Sequence, residues 1–459
     1  TATDIAGDEP FSIFMAQLDI GSIIEHLSKD NSPPIFEILL HYYMLMAGSS
    51  DFALRLFPTI LNSLIVIPIF LIGKRFFNLR VAVTAALMFI FCIYHIRFAH
   101  EIRVYSLFSL VFASNIYFLL SAIQKPNRKA YWIALLVTNL LLLYSHYTSF
   151  YILLAQSVCI GLFVPKQYWK YALVTLVLTV IGYSPYLLVF INRLGQVSGT
   201  GTWVPTPGWG EIYGNINLIL NSKITTVFVL VSVVLGLAIS LKQKAVHELV
   251  KATKNSFGLS VFILFGFTYV PMFFVSVFFL PMFMDRYVLY TSIPLFLSIA
   301  WAVDFLWSSH RYQWIGSAIL VFGTAVTTSV NPPNNRNLKE ASLLLKNLNG
   351  PETEVYVCPE MFKLGIAFHA HKDIFALADS SSPMAKLDSA FAAQGIHFIK
   401  NENQVSLANS KEVIYLDAAS KFVHPENKIL STFQKQFTLK NKHHVHEIFD
   451  VYVFTSNEN

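Results

Sequence analysis

Long apolar segments constrain the fold of this chain more than any other feature. A helix needs about 20 predominantly apolar residues to cross the hydrocarbon core of a bilayer, and ten segments between residues 51 and 330 approach that length. They lie near residues 51–73, 79–98, 103–123, 130–148, 149–164, 171–191, 224–241, 257–281, 287–307 and 312–330. Backbone polar groups in hydrocarbon must bond to one another, so these segments are expected to be helices. The sequence therefore predicts a polytopic α-helical membrane protein.

Composition agrees with that fold class. Charged residues make up 13% of the 459 residues and hydrophobic residues 54%, whereas soluble domains are about 25% charged. The net charge of +6 is modest, so membrane lipids are expected partners and nucleic acid is not. The cysteines Cys92, Cys159 and Cys358 are far apart and indicate neither a disulfide framework nor a zinc motif.

The charges of the connections predict the topology. One set of connections is rich in lysine and arginine, and the positive-inside rule makes this set cytoplasmic. It carries Lys74, Arg75, Arg80, Lys125, Arg128, Lys129, Lys166, Lys170, Lys242, Lys244, Lys251, Lys254 and Arg311. The other connections, together with the acidic opening of the chain, are expected to face outward. The polar residues of functional interest all fall in this outward set.

Two further regions flank the predicted transmembrane domain of residues 51–330. Residues 1–50 are expected to form a polar region at the outer face, with a helix lying along the interface over 35–48. With ten spans and a polar opening outside, we expect a first helix, or a removed signal segment, upstream of Thr1. Residues 331–459 alternate helix-like runs with β-rich runs at 354–358, 412–416 and 445–455, which predicts an extracytoplasmic α/β domain.

Carboxylates in the opening region are the first candidates for a functional site. Asp8 and Glu9 lie where the chain meets the predicted membrane surface, and a carboxylate near hydrocarbon is normally solvated or has a functional partner. Asp30 precedes Pro33 and Pro34, and acids and prolines are also common at helix starts. A solvated acid pair and a simple helix start therefore remain alternatives.

Basic and aromatic residues in the outward connections form the second group of candidates. Glu101, Arg103 and Tyr105 follow one another at the end of a predicted span; they could be interfacial anchors, but an arginine fork also suits a phosphate group. His146 precedes a tyrosine in another outward turn, where a structural hydrogen bond is the common role of a histidine. Arg286 and Tyr287 supply a further basic point.

The order of these motifs resembles that of a known family. In chain order they are Asp8-Glu9, Asp30-x-x-Pro33-Pro34, Gly48 with Ala53-Leu54-Arg55, His100-Glu101-x-Arg103-x-Tyr105, His146-Tyr147, Trp203 with Pro205, and Arg286-Tyr287. Over about residues 5–300 the pattern is similar to bacterial membrane glycosyltransferases of the GT-C superfamily, in the branch of protein O-mannosyltransferases and lipid A aminoarabinose transferases. One departure is Ser32, where many members have histidine.

The resemblance implies an inverting enzyme of the bacterial inner (plasma) membrane. Such enzymes transfer a sugar from a polyprenyl monophosphate donor to an acceptor hydroxyl on a glycan, lipid or protein at the outer face. By resemblance, Asp8 is the general base and Glu9 supports it, while Arg103 and Arg286 bind the donor phosphate. The remaining residues that the resemblance implies as supporting, sugar-binding or acceptor-binding are Asp30, Glu101, Tyr105, His146 and Tyr287, with Glu101 and Tyr105 orienting Arg103.

The chemistry of the reaction is consistent with these roles. A phosphate leaving group needs fixed positive charge, and a base must reach the attacking hydroxyl. Some members of the family bind a divalent metal and others need none, so a metal cofactor stays open. Two alternative functions also remain, a transporter or flippase of lipid-linked sugar and a non-catalytic subunit of an envelope complex.

Overall fold

The computed structural model describes residues 3–30, 32–200, 204–231, 253–306, 310–329, 337–376, 382–406, 411–446 and 448–456. These residues are mostly helical and form two compact units. The first unit contains Thr1–Ile24, Glu37–Ala53 and Asn331–Asn459, and the second contains Glu25–Phe36 and Leu54–Val330. One boundary between the units falls at residue 331, and residues 1–50 are divided between them.

The second unit is a helical bundle. Its main helices are Asp51–Leu64, Val66–Ile72, Leu79–Ile90, Ile93–Phe98, Tyr105–Gln124, Lys129–Leu143, Ser149–Phe163, Trp169–Thr200, Glu211–Ile219, Thr253–Phe278, Asp285–Val288, Ser292–Leu306 and His310–Val326. A π-helical turn at Gly73–Phe77 and 3₁₀ turns at Lys166–Tyr168 and Leu289–Thr291 join some of them.

Several of these helices are long and apolar enough to cross a membrane, which confirms the predicted class. Among the described residues they are Asp51–Phe77, Tyr105–Gln124, Lys166–Val197, Ser256–Phe278 and Asp285–Leu306. Glu211–Ile219 and Lys223–Val231 would form a sixth span, but they are bent by 93° at the break between them.

The described helices give fewer full-length spans than the ten predicted from hydropathy. The segment predicted at 79–98 is broken after Ile90, so its first helix has 12 residues. The segments predicted at 130–148 and 149–164 form helices of 15 residues each. At 1.5 Å per residue such a helix measures about 22 Å, short of the roughly 30 Å of hydrocarbon. Hydropathy does not distinguish apolar residues in a turn from those in a helix, so it overestimates the length of a helix that ends in an apolar turn.

A buried amide network joins three helices of the second unit. Asn115 Nδ2 donates to Thr138 Oγ1 at 2.9 Å and to Asn139 Oδ1 at 2.8 Å. Gln156 Nε2 donates to Asn115 Oδ1 at 2.6 Å and to Asn139 Oδ1 at 3.0 Å. All four side chains are buried. Such bonds hold apolar helices together where the hydrophobic effect cannot.

The first unit is built on a five-stranded sheet, which confirms the predicted α/β domain. The strands are β1 (Thr353–Cys358), β2 (Ile396–Phe398), β3 (Glu412–Asp417), β4 (Phe437–His446) and β5 (Phe449–Ser456), in the order β2-β1-β3-β5-β4. β1 pairs in parallel with β2 and β3, and β5 pairs antiparallel with β3 and β4. Sequence analysis did not predict β2, which has three residues, or most of β4, whose side chains are largely exposed.

Helices pack on this sheet, and the opening region of the chain contributes further helices to the same unit. The helices of the C-terminal domain are Leu338–Leu348, Lys363–Ala370, Lys372–Phe375, Pro383–Ala392, Ser420–Val423 and Ile429–Gln436. The opening contributes the helix Glu9–Met15, and the predicted interfacial helix is observed as Ile35–Ala47. The helix Ile20–Ser28 lies between them in sequence. Tyr42, Leu45 and Met46 of the Ile35–Ala47 helix are exposed apolar side chains, as expected of a helix at an interface.

Candidate active site

Arg103 lies in the turn that precedes the Tyr105–Gln124 helix. The turn is closed by a hydrogen bond from the Arg103 backbone N–H to the Glu101 carbonyl oxygen at 2.7 Å. The guanidinium of Arg103 reaches Ser32 Oγ at 3.4 Å. Ser32 is the position where this sequence departs from the family pattern, so the structure gives that position a contact with the predicted phosphate-binding arginine.

Arg55 holds the same turn from another helix. Its Nη1 donates to the His100 carbonyl oxygen at 2.5 Å, and only 6% of the residue is exposed. Thr59, one turn further along the helix, donates to the carbonyl oxygen of Ala99 at 3.1 Å. Sequence analysis named Arg55 only as part of a motif, so it missed this role. The contact lies between distant parts of the chain and no spacing rule predicts it.

Arg286 approaches the same region from the Asp285–Val288 helix. Its Nη1 lies 3.9 Å from Glu101 Oε1, and both side chains are largely buried. Its guanidinium carbon lies 6.0 Å from the ring centre of Tyr105 and 5.8 Å from that of Tyr287. Aromatic faces at such distances stabilise a cation. The structure thus brings three other predicted residues together around the Arg286 guanidinium group.

His146 lies beside this group, in the turn between the Lys129–Leu143 and Ser149–Phe163 helices. Its ring centre is 5.0 Å from that of Tyr287. Its Nδ1 accepts a hydrogen bond from the Thr148 backbone N–H at 3.2 Å, so the neutral ring carries its proton on Nε2. Burial lowers the pKa of His146 to about 3, and the charges of Arg103 and Arg286 act in the same direction.

Two consequences follow from the environment of His146. The imidazole is neutral at physiological pH, so it can donate a hydrogen bond from Nε2 but does not supply a positive charge. The charges of both arginines also lower the pKa of this ring, and Arg286 pairs with Glu101 of the Arg103 turn at 3.9 Å, so the two arginines approach each other although 182 residues lie between them (285 − 103). The predicted phosphate-binding arginines therefore belong to one cluster.

A narrow crevice lies within this cluster and is too tight to hold a water molecule. It is lined by Tyr105, Phe108, Ser109, His146, Arg286, Tyr287, Leu289 and Tyr290. Its walls are mainly aromatic, and the Arg286 guanidinium among them supplies a fixed positive charge.

Asp30 belongs to the second unit but does not start a helix. The helix after the two prolines begins at Ile35, so Asp30 is too far from it to be the capping residue. Burial is the main factor that raises the pKa of Tyr147, and the negative charge of Asp30 acts in the same direction. Asp30 therefore lies within electrostatic range of the turn that also carries His146.

Asp8 and Glu9 belong to the first unit, at the start of the Glu9–Met15 helix. Asp8 is partly buried, and its carboxylate does not cap this helix. Glu9 is 5% exposed, and its Oε2 accepts a hydrogen bond from the Ala6 backbone N–H at 3.0 Å. Gly7, at a φ of 62°, allows the tight turn between Ala6 and Glu9. Glu9 thus stabilises the loop that presents Asp8.

Glu37 and His41 also hold this loop, and sequence analysis gave them no such role. Ser12 Oγ donates to Glu37 Oε1 at 2.8 Å, and His41 Nδ1 lies 2.9 Å from the Ala16 carbonyl oxygen. Their spacing of four residues, which puts both on one helix face, was the sequence feature that could have indicated this shared role. Trp203, part of the sequence motif, lies outside the described residues.

The described residues contain no group of three or more His, Cys, Asp or Glu side chains that could hold a metal ion. The candidate site is therefore described by arginines, aromatic rings and carboxylates, and the question of a metal cofactor stays open.

Comparisons with known proteins show which family and which solved structures the chain resembles. Residues 31–188, about a third of the chain, match the family model described as dolichyl-phosphate-mannose-protein mannosyltransferase. The structure is similar to that of ArnT from Cupriavidus metallidurans in the apo state, with a TM-score of 0.58, 10% identity, and coverage of 98% of this chain and 94% of ArnT. The chain therefore has the GT-C fold, and its residues 31–188 resemble the protein mannosyltransferase family.

Two further solved structures have a similar fold. ArnT bound to undecaprenyl phosphate gives the same TM-score, identity and coverage as the apo form. The oligosaccharyltransferase AglB from Archaeoglobus fulgidus, in complex with an inhibitory peptide and a dolichol-phosphate, has a TM-score of 0.55 at 11% identity over 98% of this chain and 71% of AglB. No curated protein sequence matches the chain. The predicted GT-C membrane fold is confirmed.

Proposed function

We propose that this GT-C protein is an inverting glycosyltransferase that uses a polyprenyl monophosphate sugar as donor. The observation that carries the proposal is the ion pair of Arg286 with Glu101 at 3.9 Å, which brings Arg286 to the turn that carries Arg103. The guanidinium groups of the two arginines and the carboxylate of Glu101 sum to a charge of +1 (2 − 1). This cluster suits a phosphodiester, which carries one negative charge before the reaction.

The proposed reaction needs only a base and an anion-stabilising group. Asp8 removes the proton from the acceptor hydroxyl, and that oxygen attacks the anomeric carbon of the sugar from the face opposite the phosphate. The bond between this carbon and the phosphate oxygen breaks, and its electron pair stays on the phosphate. The leaving polyprenyl phosphate thereby gains a second negative charge, which Arg103 and Arg286 stabilise in the transition state.

The remaining candidate residues have supporting roles in this proposal. Glu9 holds the Asp8 loop, Glu101 and Tyr105 fix the guanidinium groups, and His146, Tyr287 and Asp30 contact sugar or acceptor. The relatives support a lipid donor, since ArnT and AglB are seen with undecaprenyl phosphate and dolichol-phosphate. A donor whose lipid tail stays in the bilayer is consistent with a site at helix ends.

We place the reaction at the outer face of the plasma membrane. The lysine- and arginine-rich connections support a cytoplasmic location for the opposite ends of the helices. Cys92, Cys159 and Cys358 are buried, so a cysteine introduced at Ser389, an exposed position of the C-terminal domain, can be labelled selectively. A membrane-impermeant maleimide should label it in intact cells. Labelling only after lysis would contradict this orientation.

The decisive experiment is an Asp8→Asn variant of the full chain in lipid nanodiscs. With a defined polyprenyl-phosphate sugar and acceptor, we expect transfer to fall about 10²–10⁴-fold, the usual contribution of a general base. Asp19→Asn is the matched control, because Asp19 is an exposed carboxylate on the same segment. Normal transfer by Asp8→Asn would remove Asp8 from the mechanism. Movement of donor across vesicles without any acceptor would instead favour the transporter.

A further inference from the structure

The loop that carries Asp8 is bound to the C-terminal α/β domain by three contacts within one unit. Asp4 Oδ2 accepts a hydrogen bond from the Lys339 backbone N–H at 3.0 Å. The Ile5 carbonyl oxygen lies 2.7 Å from His369 Nε2. Phe14 packs edge-on against Phe375 with ring centres 5.4 Å apart. These contacts join parts of the chain that are more than 300 residues apart.

Each contact fixes a different part of the loop. Asp4 binds an N–H in the first turn of the Leu338–Leu348 helix, where such groups have no partner within the helix. Phe14 holds the helix that follows Asp8, and its ring is fully buried. Asp8 therefore lies between two anchored points, four residues after Asp4 and six before Phe14.

Of the three contacts, the one made by His369 lies nearest to Asp8 in the sequence. A carbonyl oxygen only accepts, so the imidazole Nε2 must be the donor to Ile5. Only Ala6 and Gly7 separate Ile5 from Asp8, and the bond from the Ala6 N–H to Glu9 closes this turn. Ile5 and Ala6 are buried, at 1% and 3% exposure. A displacement of Ile5 would thus be transmitted to Asp8.

We infer that the C-terminal α/β domain is the scaffold that positions the Asp8 loop, and that His369 is a positioning residue acting through the Ile5 carbonyl. This inference rests on the proposed function of Asp8. It gives the C-terminal domain a role in the reaction although none of its own side chains needs to contact the substrate.

The test compares His369→Leu, which removes the donor, with His369→Gln, whose amide N–H can replace it. In His369→Leu we expect kcat to fall about 10–100-fold, as small misplacements of catalytic groups do. The KM for the lipid donor should change little, because the arginines belong to the other unit. His369→Gln should recover most of the activity. His424→Leu is the matched control, since His424 lies in the same domain and pairs with Glu360 at 3.1 Å.

Hydrogen–deuterium exchange of residues 5–12 in the full chain gives a readout independent of catalysis. Exchange there should accelerate in His369→Leu but not in His369→Gln or His424→Leu. If His369→Leu does not fold, Asp4→Ala provides the same comparison from the neighbouring anchor. Unchanged exchange and kcat in the folded variant, or equal damage by Leu and Gln, would overturn the inference. Faster exchange together with an active Asp8→Asn enzyme would instead refute only the role of Asp8.

Discussion

Glu101 and Arg286 form an ion pair in which Oε1 and Nη1 are 3.9 Å apart. In the chain, 184 residues lie between them (285 − 101). The resemblance assigned Glu101 to the orientation of Arg103, its neighbour in sequence. The observed pair joins the carboxylate to a residue far away in sequence and links the turn before the Tyr105–Gln124 helix to the Asp285–Val288 helix. Because both side chains are largely buried, the pair fixes the direction of the Arg286 guanidinium before any ligand binds.

Replacement of Arg286 tests its role at the phosphate. Arg286→Gln removes the charge, and we expect kcat to fall about 10²–10³-fold, the usual effect of losing one group that stabilises a transition-state charge. Arg286→Lys keeps the charge but loses the planar fork, so its loss should be smaller. Turnover of the lipid donor by purified variants measures both.

Arg97→Gln is the control for Arg286. Arg97 lies 4.0 Å from Asp285 but is more exposed, at 42% of its side chain. Its replacement should leave turnover within a few-fold of the native rate. Equal losses in Arg97→Gln and Arg286→Gln would mean that general charge, rather than the position of Arg286, matters.

Glu9 should act through the loop rather than through chemistry. Glu9→Gln keeps an oxygen that can accept the Ala6 N–H, so we expect most of the activity to remain. Glu9→Ala leaves that buried N–H without its acceptor, which costs about 1–3 kcal/mol, and should reduce activity further. Transfer assays and thermal melting of both variants check this. If Glu9→Gln is as inactive as Asp8→Asn, Glu9 is itself a reacting group.

The stability of the folded protein should fall in acid because of His146. Burial lowers its pKa in the folded protein from 6.5 to about 3, so between these values the unfolded chain binds the extra proton. Stability contributed by neutral His146 is therefore complete above pH 6.5 and is lost as the pH falls toward 3. At pH 5.5 the loss should be about 1 kcal/mol.

The variant His146→Gln isolates this effect because it cannot be protonated. We expect the native protein to lose more thermal stability between pH 7.5 and 5.5 than His146→Gln does, with all other groups titrating alike. Melting temperatures in detergent at the two pH values provide the measurement. The same acid-induced shift in both proteins would show that His146 is not buried as described.

The amide network of the bundle should contribute to stability. Asn115→Leu removes the amide that donates to Asn139 Oδ1 and accepts from Gln156 Nε2, so both side chains lose a hydrogen-bond partner. We expect a loss of about 1–2 kcal/mol, near the upper end for polar contacts between membrane helices. Ser157→Ala is the control, because Ser157 is exposed on the same helix as Gln156. A similar melting temperature for Asn115→Leu and the native protein would contradict this.

The sequence determined the class of the protein because hydropathy and motif order are local properties. Apolar segments predicted a helical membrane domain, and runs such as Glu354–Cys358 predicted the sheet of the C-terminal domain. The order from Asp8-Glu9 to Arg286-Tyr287 indicated the GT-C superfamily. Each of these inferences uses only residues close in the chain, or the order of such groups.

Only the tertiary structure decided which distant residues meet. It gave Glu101 a contact with Arg286, placed Arg103 beside Ser32, and bound Ile5 to His369. It also showed that the segments predicted at 130–148 and 149–164 form helices of only 15 residues. These features arise from packing between elements far apart in sequence, and such contacts depend on how whole helices fit together. No spacing or composition within one segment encodes them.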